Sequence, residues 1–272
     1  MTSAQVHESI SEETVREISD ELGEPDWLLE TRLDALDALG ELEMPDVIRT
    51  PGREWTNLDA LDYESFVDPL NAAEEKDQVG PEDAEVLPIS EAIDEREDLL
   101  REHFGSVIDP EENYLTALST ALFSTGTLVY VPQNVDAEDV TIRTTQNSQS
   151  LFNYTLVVTE QSSSVTILER QDTGEDVEGD RYYSGLVEVA AGENSRVQYG
   201  SLQDLDDETY NYTLKRGSAD DYATVNWIEG NLGSRLTKSS VETNLDGEGS
   251  ETKTVGAFFG HEDQHFDIAA RV

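Results

Sequence analysis

The sequence runs to 272 residues, long enough for one large β domain or two smaller ones with a real buried core. Sixty acidic residues against 17 basic give a formal charge of −43, which excludes nucleic acid and anionic membranes as partners because phosphate binding needs a basic footprint. With no cysteine among them, these residues offer no disulfide framework, no thiolate nucleophile and no Cys-ligated zinc or cluster.

A charge of this size destabilises a compact chain in dilute buffer, whereas at about 1 M salt the Debye length falls to roughly 3 Å and distant charges stop interacting. Only four of the basic residues are Lys (Lys76, Lys215, Lys238, Lys253) and thirteen are Arg. The composition therefore points to a halophilic protein of haloarchaeal type rather than to an acidic disordered one, because the second half is rich in Val, Ile, Tyr, Phe and Thr at strand spacing. Met1 to Ile10 has neither a basic n-region nor an apolar h-region, and no apolar run approaches a membrane span, so a cytoplasmic location is expected.

In chain order, Ser9 followed by Glu12 reads as a capping box for a helix over Glu12 to Leu22, with Gly23 as its stop. Pro25 then opens a second helix whose apolar stripe is Trp27, Leu28, Leu33, Leu36 and Leu39, ending at Gly40. From Met44 to Pro88 the periodicity fades among five prolines, which predicts a loop-rich linker with helical turns near Leu58 to Leu61. A third helix is expected from Ser90 to Phe104, stopped by Gly105. Asp109-Pro110-Glu111-Glu112 opens a fourth, with Tyr114, Leu115, Leu118 and Leu122 on one face. The boundary between an acidic helical region, 1–113, and a second domain, 114–272, falls here.

After Gly126 the period becomes two. Eleven β-branched and aromatic runs follow, at about 127–131, 140–145, 151–159, 165–170, 182–190, 196–202, 210–215, 223–229, 236–243, 253–259 and 265–272. Hairpin turns are scarce, Asp246-Gly247 being the one Asn-Gly or Asp-Gly dipeptide, and many strands are Thr/Ser/Gly-rich. This favours a β-solenoid over a sandwich, although no fixed repeat length emerges. The strand pattern is still continuing at Val272, which reads as a C-terminally truncated protein.

Two segments add a resemblance to this pattern. Glu24-Pro25-Asp26-Trp27-Leu28-Leu29-Glu30, with Arg32-Leu33 and Ala35-Leu36 behind it, resembles the N-terminal helix signature of the SufB/SufD family of iron–sulfur cluster assembly proteins. The stretch from Glu112-Asn113-Tyr114-Leu115 through Leu128-Val129-Tyr130-Val131-Pro132 resembles that family's passage from its last N-terminal helix into the core. Tyr210-Asn211-Tyr212 with Arg216-Gly217, and Asn226-Trp227 with Gly230, resemble its middle coils. The Glu24–Leu39 and Tyr130–Asp136 segments lie closer to the SufD branch.

The resemblance implies a mostly β fold, a right-handed parallel β-helix preceded by a helical N-terminal region. It implies a non-enzymatic scaffold that pairs with a SufB-like paralogue and a SufC-like ATPase, as a homo- or heterodimer through the β-helix. A transient iron–sulfur cluster would belong to the full complex and no cofactor to this fragment. No catalytic, cofactor-binding or metal residue is assigned, since the resemblance implies that the family's usual ones lie mostly beyond Val272.

Two enzyme classes compete with the scaffold. His261-Glu262-Asp263-Gln264-His265 matches the His-Glu-x-x-His pattern of zinc metallopeptidases, which needs both imidazoles on one helix face. Gly260 before it, strand-like flanks and the lack of a third ligand favour a turn plus a polar strand. A carbohydrate-processing β-helix enzyme would need paired inward-facing acids in a cleft. His7 and His103 read as structural, and the acidic runs Asp172–Asp180 and Asp204–Glu208 as solvated turns rather than calcium loops.

Overall fold

The period-two region winds into stacked coils, because each strand buries its inward side chains against the coil before and after it. A computed structural model of the chain describes residues 10–47, 58, 61, 67–72, 74–174 and 179–272. Helices α1 (Glu12–Leu22) and α2 (Asp26–Ala38) come first, then a short 3-10 turn at Pro69–Asn71. Strands β1 (Glu74–Val79) and β2 (Glu85–Pro88) and helices α3 (Ile89–Glu95), α4 (Glu97–His103) and α5 (Tyr114–Leu122) follow.

The eleven expected strands are all present. They are β3 (Thr125–Val131), β4 (Asp136–Gln146), β5 (Ser150–Thr159), β6 (Ser164–Thr173), β7 (Arg181–Ala191) and β8 (Arg196–Asp204), then β9 (Thr209–Ala219), β10 (Thr224–Asn231), β11 (Leu236–Leu245), β12 (Glu251–Phe258) and β13 (His265–Arg271). They alternate between two sheets. The first sheet runs β1-β4-β6-β8-β10-β12 and the second β13-β11-β9-β7-β5-β3-β2. From β3 to β13 every pairing is parallel and joins a strand to the one two places on, which makes a β-solenoid of about five turns and no sandwich.

The turns explain why no repeat length is visible. The second-sheet strands begin at Thr125, Ser150, Arg181, Thr209, Leu236 and His265, so coils differ by up to six residues. What repeats is a left-handed residue between sheets, at Asn134, Ser162, Asn194 and Tyr222, with Gly249 in the next coil. Each of the first four donates its backbone N–H to a carbonyl one coil on: Gln161 (3.2 Å), Glu193 (2.9 Å), Asp221 (2.8 Å) and Glu248 (2.9 Å). The repeat is one of backbone conformation, and residue types as different as Asn, Ser and Tyr carry it.

Two apolar cores result. One fills the lumen between the sheets, with Val129, Ile142, Val157, Ile167, Val187 and Tyr199 among its members. The other lies between the outer face of the second sheet and the helices, where α5, buried along its whole length, packs on Tyr154, Leu186 and Leu214. Double-sided burial is why β5 and β7 read as nearly continuous apolar runs.

The helical region departs from expectation in three places. Ser11, not Ser9, caps α1, its hydroxyl accepting from Thr14 N at 3.2 Å; Ser9 and His7 lie outside the described residues. The single helix expected from Ser90 breaks into α3 and α4 at Arg96, whose φ of −136° is not helical; its guanidinium pairs with Glu85. Within the expected linker, β1 and β2 add antiparallel edges to the two sheets, paired with β4 and β3. An acidic edge strand such as β1 lacks the β-branched pattern that announces an inner one. The turn near Leu58–Leu61 lies mostly outside the described residues, with Leu61 N donating to Leu58 O at 3.3 Å. Gly23 and Gly105 stop their helices in the left-handed region as expected, at φ 67° and 70°.

Candidate functional site: a charged row inside the solenoid

Lumen positions on the first sheet follow the parallel register from coil to coil. Ile167, Tyr199 and Trp227 stack in one row; Glu169, Ser201 and Glu229 stack in the next; Gln171, Gln203 and Asn231 stack in a third. Parallel pairing without offset sets like position over like, so a polar residue in one coil recurs as a polar row.

Opposite the second row stands Lys215 of β9, in an inward column between Val187 and Val241. Its ammonium, 2% exposed, donates to Glu229 Oε1 and Oε2 at 3.1 and 3.0 Å and to the Ser201 hydroxyl. Glu169 Oε2 lies 3.9 Å off and accepts from the Tyr199 hydroxyl at 3.0 Å. The Lys215 ammonium also sits 5.3 Å from the Tyr199 ring centre, and Trp227 packs on that ring at 5.5 Å. Burial, followed by the Glu169 charge, pushes the Tyr199 phenol well above its ordinary range, so Tyr199 is a donor at any physiological pH.

Such a cluster is costly in a lumen that aliphatic residues would fill without desolvating any charge. Buried polar atoms beside it have no hydrogen-bond partner among the described residues, among them Glu169 Oε1, Gln171 Nε2 and Gln203 Nε2. Groups of this kind call for ordered water or a polar visitor. Chemically the row offers two carboxylates and hydroxyls around one ammonium, a hard, oxygen-rich donor set with no soft ligand. Sequence reasoning missed it; Glu169, Lys215 and Glu229 each lie at the inward phase of a strand, next to further inward polar residues such as Gln171, Thr213 and Asn231.

A second group of polar residues joins the solenoid to the helical region. Glu188 of β7 faces outward beneath the loop after α4, where its Oε1 accepts from Val107 N (3.0 Å) and Ile108 N (2.6 Å) and its Oε2 from Gly105 N (2.9 Å) and the Tyr154 hydroxyl. Burial pushes its carboxyl up to about 7 against those backbone donors, which pull it down. Arg216, next to Lys215, points outward and grips Glu112 at 3.0 Å and Glu242 at 2.9 Å.

The residues singled out for enzyme chemistry fall elsewhere. His261 lies in the turn before β13, Nε2 3.7 Å from Asp207, and Glu262 takes the left-handed conformation at φ 49°. His265 opens β13 opposite Leu236. The metallopeptidase alternative is thereby corrected: Gly260 and the turn at Glu262 prevent the one-faced helix it requires. Among the described residues no three His, Asp or Glu side chains converge on a metal-sized point. The inward acid pair imagined for a carbohydrate enzyme does exist as Glu169 and Glu229. Both side chains are buried and face the single ammonium of Lys215, 3.0 Å from Glu229 and 3.9 Å from Glu169.

The remaining candidates are structural. Asp206 accepts from Glu208 N (3.1 Å) and Thr209 Oγ1 (2.9 Å), so the Asp204–Glu208 run is a capped turn; Asp172–Asp180 lies partly outside the described residues. Trp227 and the Tyr182–Tyr183 pair are core residues. No described helix is long and apolar enough to cross a membrane.

A stacked parallel coil with a helical flank packed on one of its two sheets is a β-solenoid with an N-terminal helical region. Residues 141–272 match the family model described as SUF system FeS cluster assembly, SufBD core domain, and residues 56–142 match the SufBD protein N-terminal region. The chain belongs to the SufB/SufD family. It is 26% identical to the iron-sulfur cluster assembly protein SufB of Bacillus subtilis and 26% identical to an iron-sulfur cluster assembly SufBD family protein of Staphylococcus epidermidis. A SufBD family protein of Staphylococcus aureus is 25% identical. Each alignment covers 97% of this chain and 65% of the relative, so the chain spans just under two thirds of the length of these relatives.

Proposed function

We propose that the chain is a non-catalytic scaffold in iron–sulfur cluster assembly, closer to SufD, working in a salt-loving cytoplasm beside a SufB-like paralogue and a SufC-like ATPase. The observation that carries this reading is the match of both family models, which together span 56–272. Glu188 and Arg216 tie described residues on either side of the 113/114 boundary together, through Gly105 and Glu112. The 272 residues hold no thiolate, so thiolate ligands of a nascent cluster come from outside them.

The test is a pull-down of the tagged protein from high-salt lysate of its host. Recovery of a SufB-like chain and a SufC-like ATPase supports the reading, with ATP hydrolysis confined to the ATPase. Their consistent absence overturns it, as does stoichiometric zinc lost together with peptidase activity on His265→Ala.

A further inference from the structure

Where the solenoid begins, β1 of the first sheet reaches across to β3 of the second, and a cavity of about 160 Å³ lies between them and the start of α3. Lys76 and Gln78 line it from β1, Ser124 and Thr125 from the start of β3, and Ile89 and Ser90 from the start of α3. Alternation along a strand puts Lys76 and Gln78 on one face, their backbones about 7 Å apart. It sends the exposed Asp77 to the other face, paired in register with Arg143 of β4.

The Lys76 ammonium donates to the Asn153 amide oxygen at 2.6 Å and to the Thr125 hydroxyl at 3.4 Å, both neutral acceptors. Gln78 Oε1 accepts from the Thr127 hydroxyl at 2.8 Å, which commits the oxygen end of the amide. The other end, Nε2, is buried and has no hydrogen-bond partner among the described residues. An unmet buried donor is costly, and what it calls for is an acceptor. No acid is among the described residues that line the cavity, in a chain with 60 acids and 17 bases. The wall thus offers a positive charge, an amide N–H and the rotatable hydroxyls of Ser90 and Ser124.

We infer that this cavity binds one monovalent anion, chloride, between Lys76 Nζ and Gln78 Nε2. The ammonium disfavours a cation, and the unmet N–H disfavours an apolar guest. A single ammonium balances one negative charge rather than the two of phosphate, and the wall has no guanidinium fork to seat a phosphate or carboxylate at two points. A spherical ion needs no fork. The cavity is larger than one ion, and a water takes about 30 Å³, so the ion keeps part of its hydration shell. Held by β1 on one side and by the start of β3 on the other, the ion joins the two sheets at the first coil. It adds to the salt requirement a saturable part specific to chloride, separate from the screening that any potassium salt supplies. The site is independent of the assembly role.

Urea melts at a constant potassium concentration of about 1 M, where the Debye length is about 3 Å, test it as chloride replaces methanesulfonate stepwise. Screening is then fixed and only the anion changes. The native midpoint should rise and then level off, as expected of a ligand that binds the folded state. Lys76→Met and Gln78→Leu should lose that rise. Lys253→Met, which removes an equal charge from an exposed position on β12, should keep it. Far-UV circular dichroism shows whether each variant is folded. Crystals of the native protein grown with bromide give a measurement that needs no variant, and anomalous density is expected between Lys76 and Gln78. Absence of bromide from the cavity overturns the inference. So does bromide in the cavity with the same midpoint response in all four proteins, which would mean an adventitious ion only. Loss of the paralogue in a pull-down with the chloride response retained would count against the assembly role alone.

Discussion

Glu24 and Arg32, eight residues apart around Pro25, form a fully buried two-pronged ion pair, with Arg32 Nη2 2.6 Å from Glu24 Oε1 and Nε 2.8 Å from Oε2. The remaining nitrogen, Nη1, donates to the Ala121 carbonyl at 3.0 Å, closing the C-terminus of α5, and the guanidinium lies 3.6 Å over the Phe123 ring. One arginine thus fixes α2 to the helix that seals the second sheet. Arg32→Met would strand a buried carboxylate and an unpaired carbonyl, at a cost of about 3–5 kcal/mol. Replacing both, Glu24→Leu with Arg32→Met, should recover part of that loss. Urea melts at constant salt measure both, and a single-variant cost below about 1 kcal/mol would show the pair to be dispensable.

Glu188 makes stability depend on pH in an unusual direction. Its carboxyl rises to about 7 in the folded chain, from an ordinary value near 4.5, because burial outweighs the backbone donors. The folded state therefore holds this proton more tightly than the unfolded one. The contribution is fully present below about pH 4.5 and is lost as pH rises through 7, amounting to about 3 kcal/mol at about 1.4 kcal/mol per unit. Glu188→Gln should flatten the stability profile between those limits. Urea midpoints of the two proteins across that window, compared at fixed salt, decide it; parallel curves would refute the assignment.

Lys215 is the cation that lets Glu169 and Glu229 stay inside the lumen. Lys215→Met leaves both carboxylates without it and should cost about 3–5 kcal/mol. Lys215→Met with Glu229→Met removes a charge of each sign and should cost less than the single change, a non-additivity expected of residues in contact. Additive losses in a double-mutant cycle would mean that the 3.0 Å contact contributes little.

The sequence was most legible where burial has a simple period. All eleven solenoid strands were placed, because along β6, β8 and β10 an inward phase that includes Val, Ile, Tyr and Trp alternates with a mostly more polar outward one. The Glu24–Arg32 signature was visible as a motif, but its cause was not, since Ala121 and Phe123 meet Arg32 only in three dimensions. Lys215, Glu169 and Glu229 were hidden for a related reason: they lie in three different strands, and only the parallel register brings them together. The break at Arg96 has no glycine or proline to announce it; the backbone turns there while the side chain reaches Glu85.

Close coil stacking gives glycines of similar appearance opposite tolerances. A Cβ on Gly233 would fall 1.8 Å from the Leu205 carbonyl oxygen and 2.6 Å from its nitrogen, both backbone atoms of the preceding coil. A Cβ on Gly256, in β12, would meet nothing within 4 Å. Gly233→Ala should therefore force the coils apart and cost about 2 kcal/mol or more, as overpacking does. Gly256→Ala should be neutral or stabilising by up to about 1 kcal/mol. Equal melting temperatures for the two variants would contradict the stacking described.

The acidic surface predicts a salt requirement, and α1 is where to test its origin. Glu13, Glu17 and Glu21 are exposed at i, i+4 and i+8 on this helix, so each repels the next, and Arg16 is paired with Glu12 at 2.6 Å. Like charges at that spacing cost a few tenths of a kcal/mol each in dilute buffer. Screening removes the cost when the Debye length falls from about 8 Å at physiological salt to about 3 Å at 1 M. The urea midpoint should accordingly rise steeply with KCl for the native chain. Glu13→Gln, Glu17→Gln and Glu21→Gln combined should hold the fold at lower salt and flatten that rise. A native midpoint independent of KCl would mean that the charge is accommodated locally and that the composition carries no adaptation to salt.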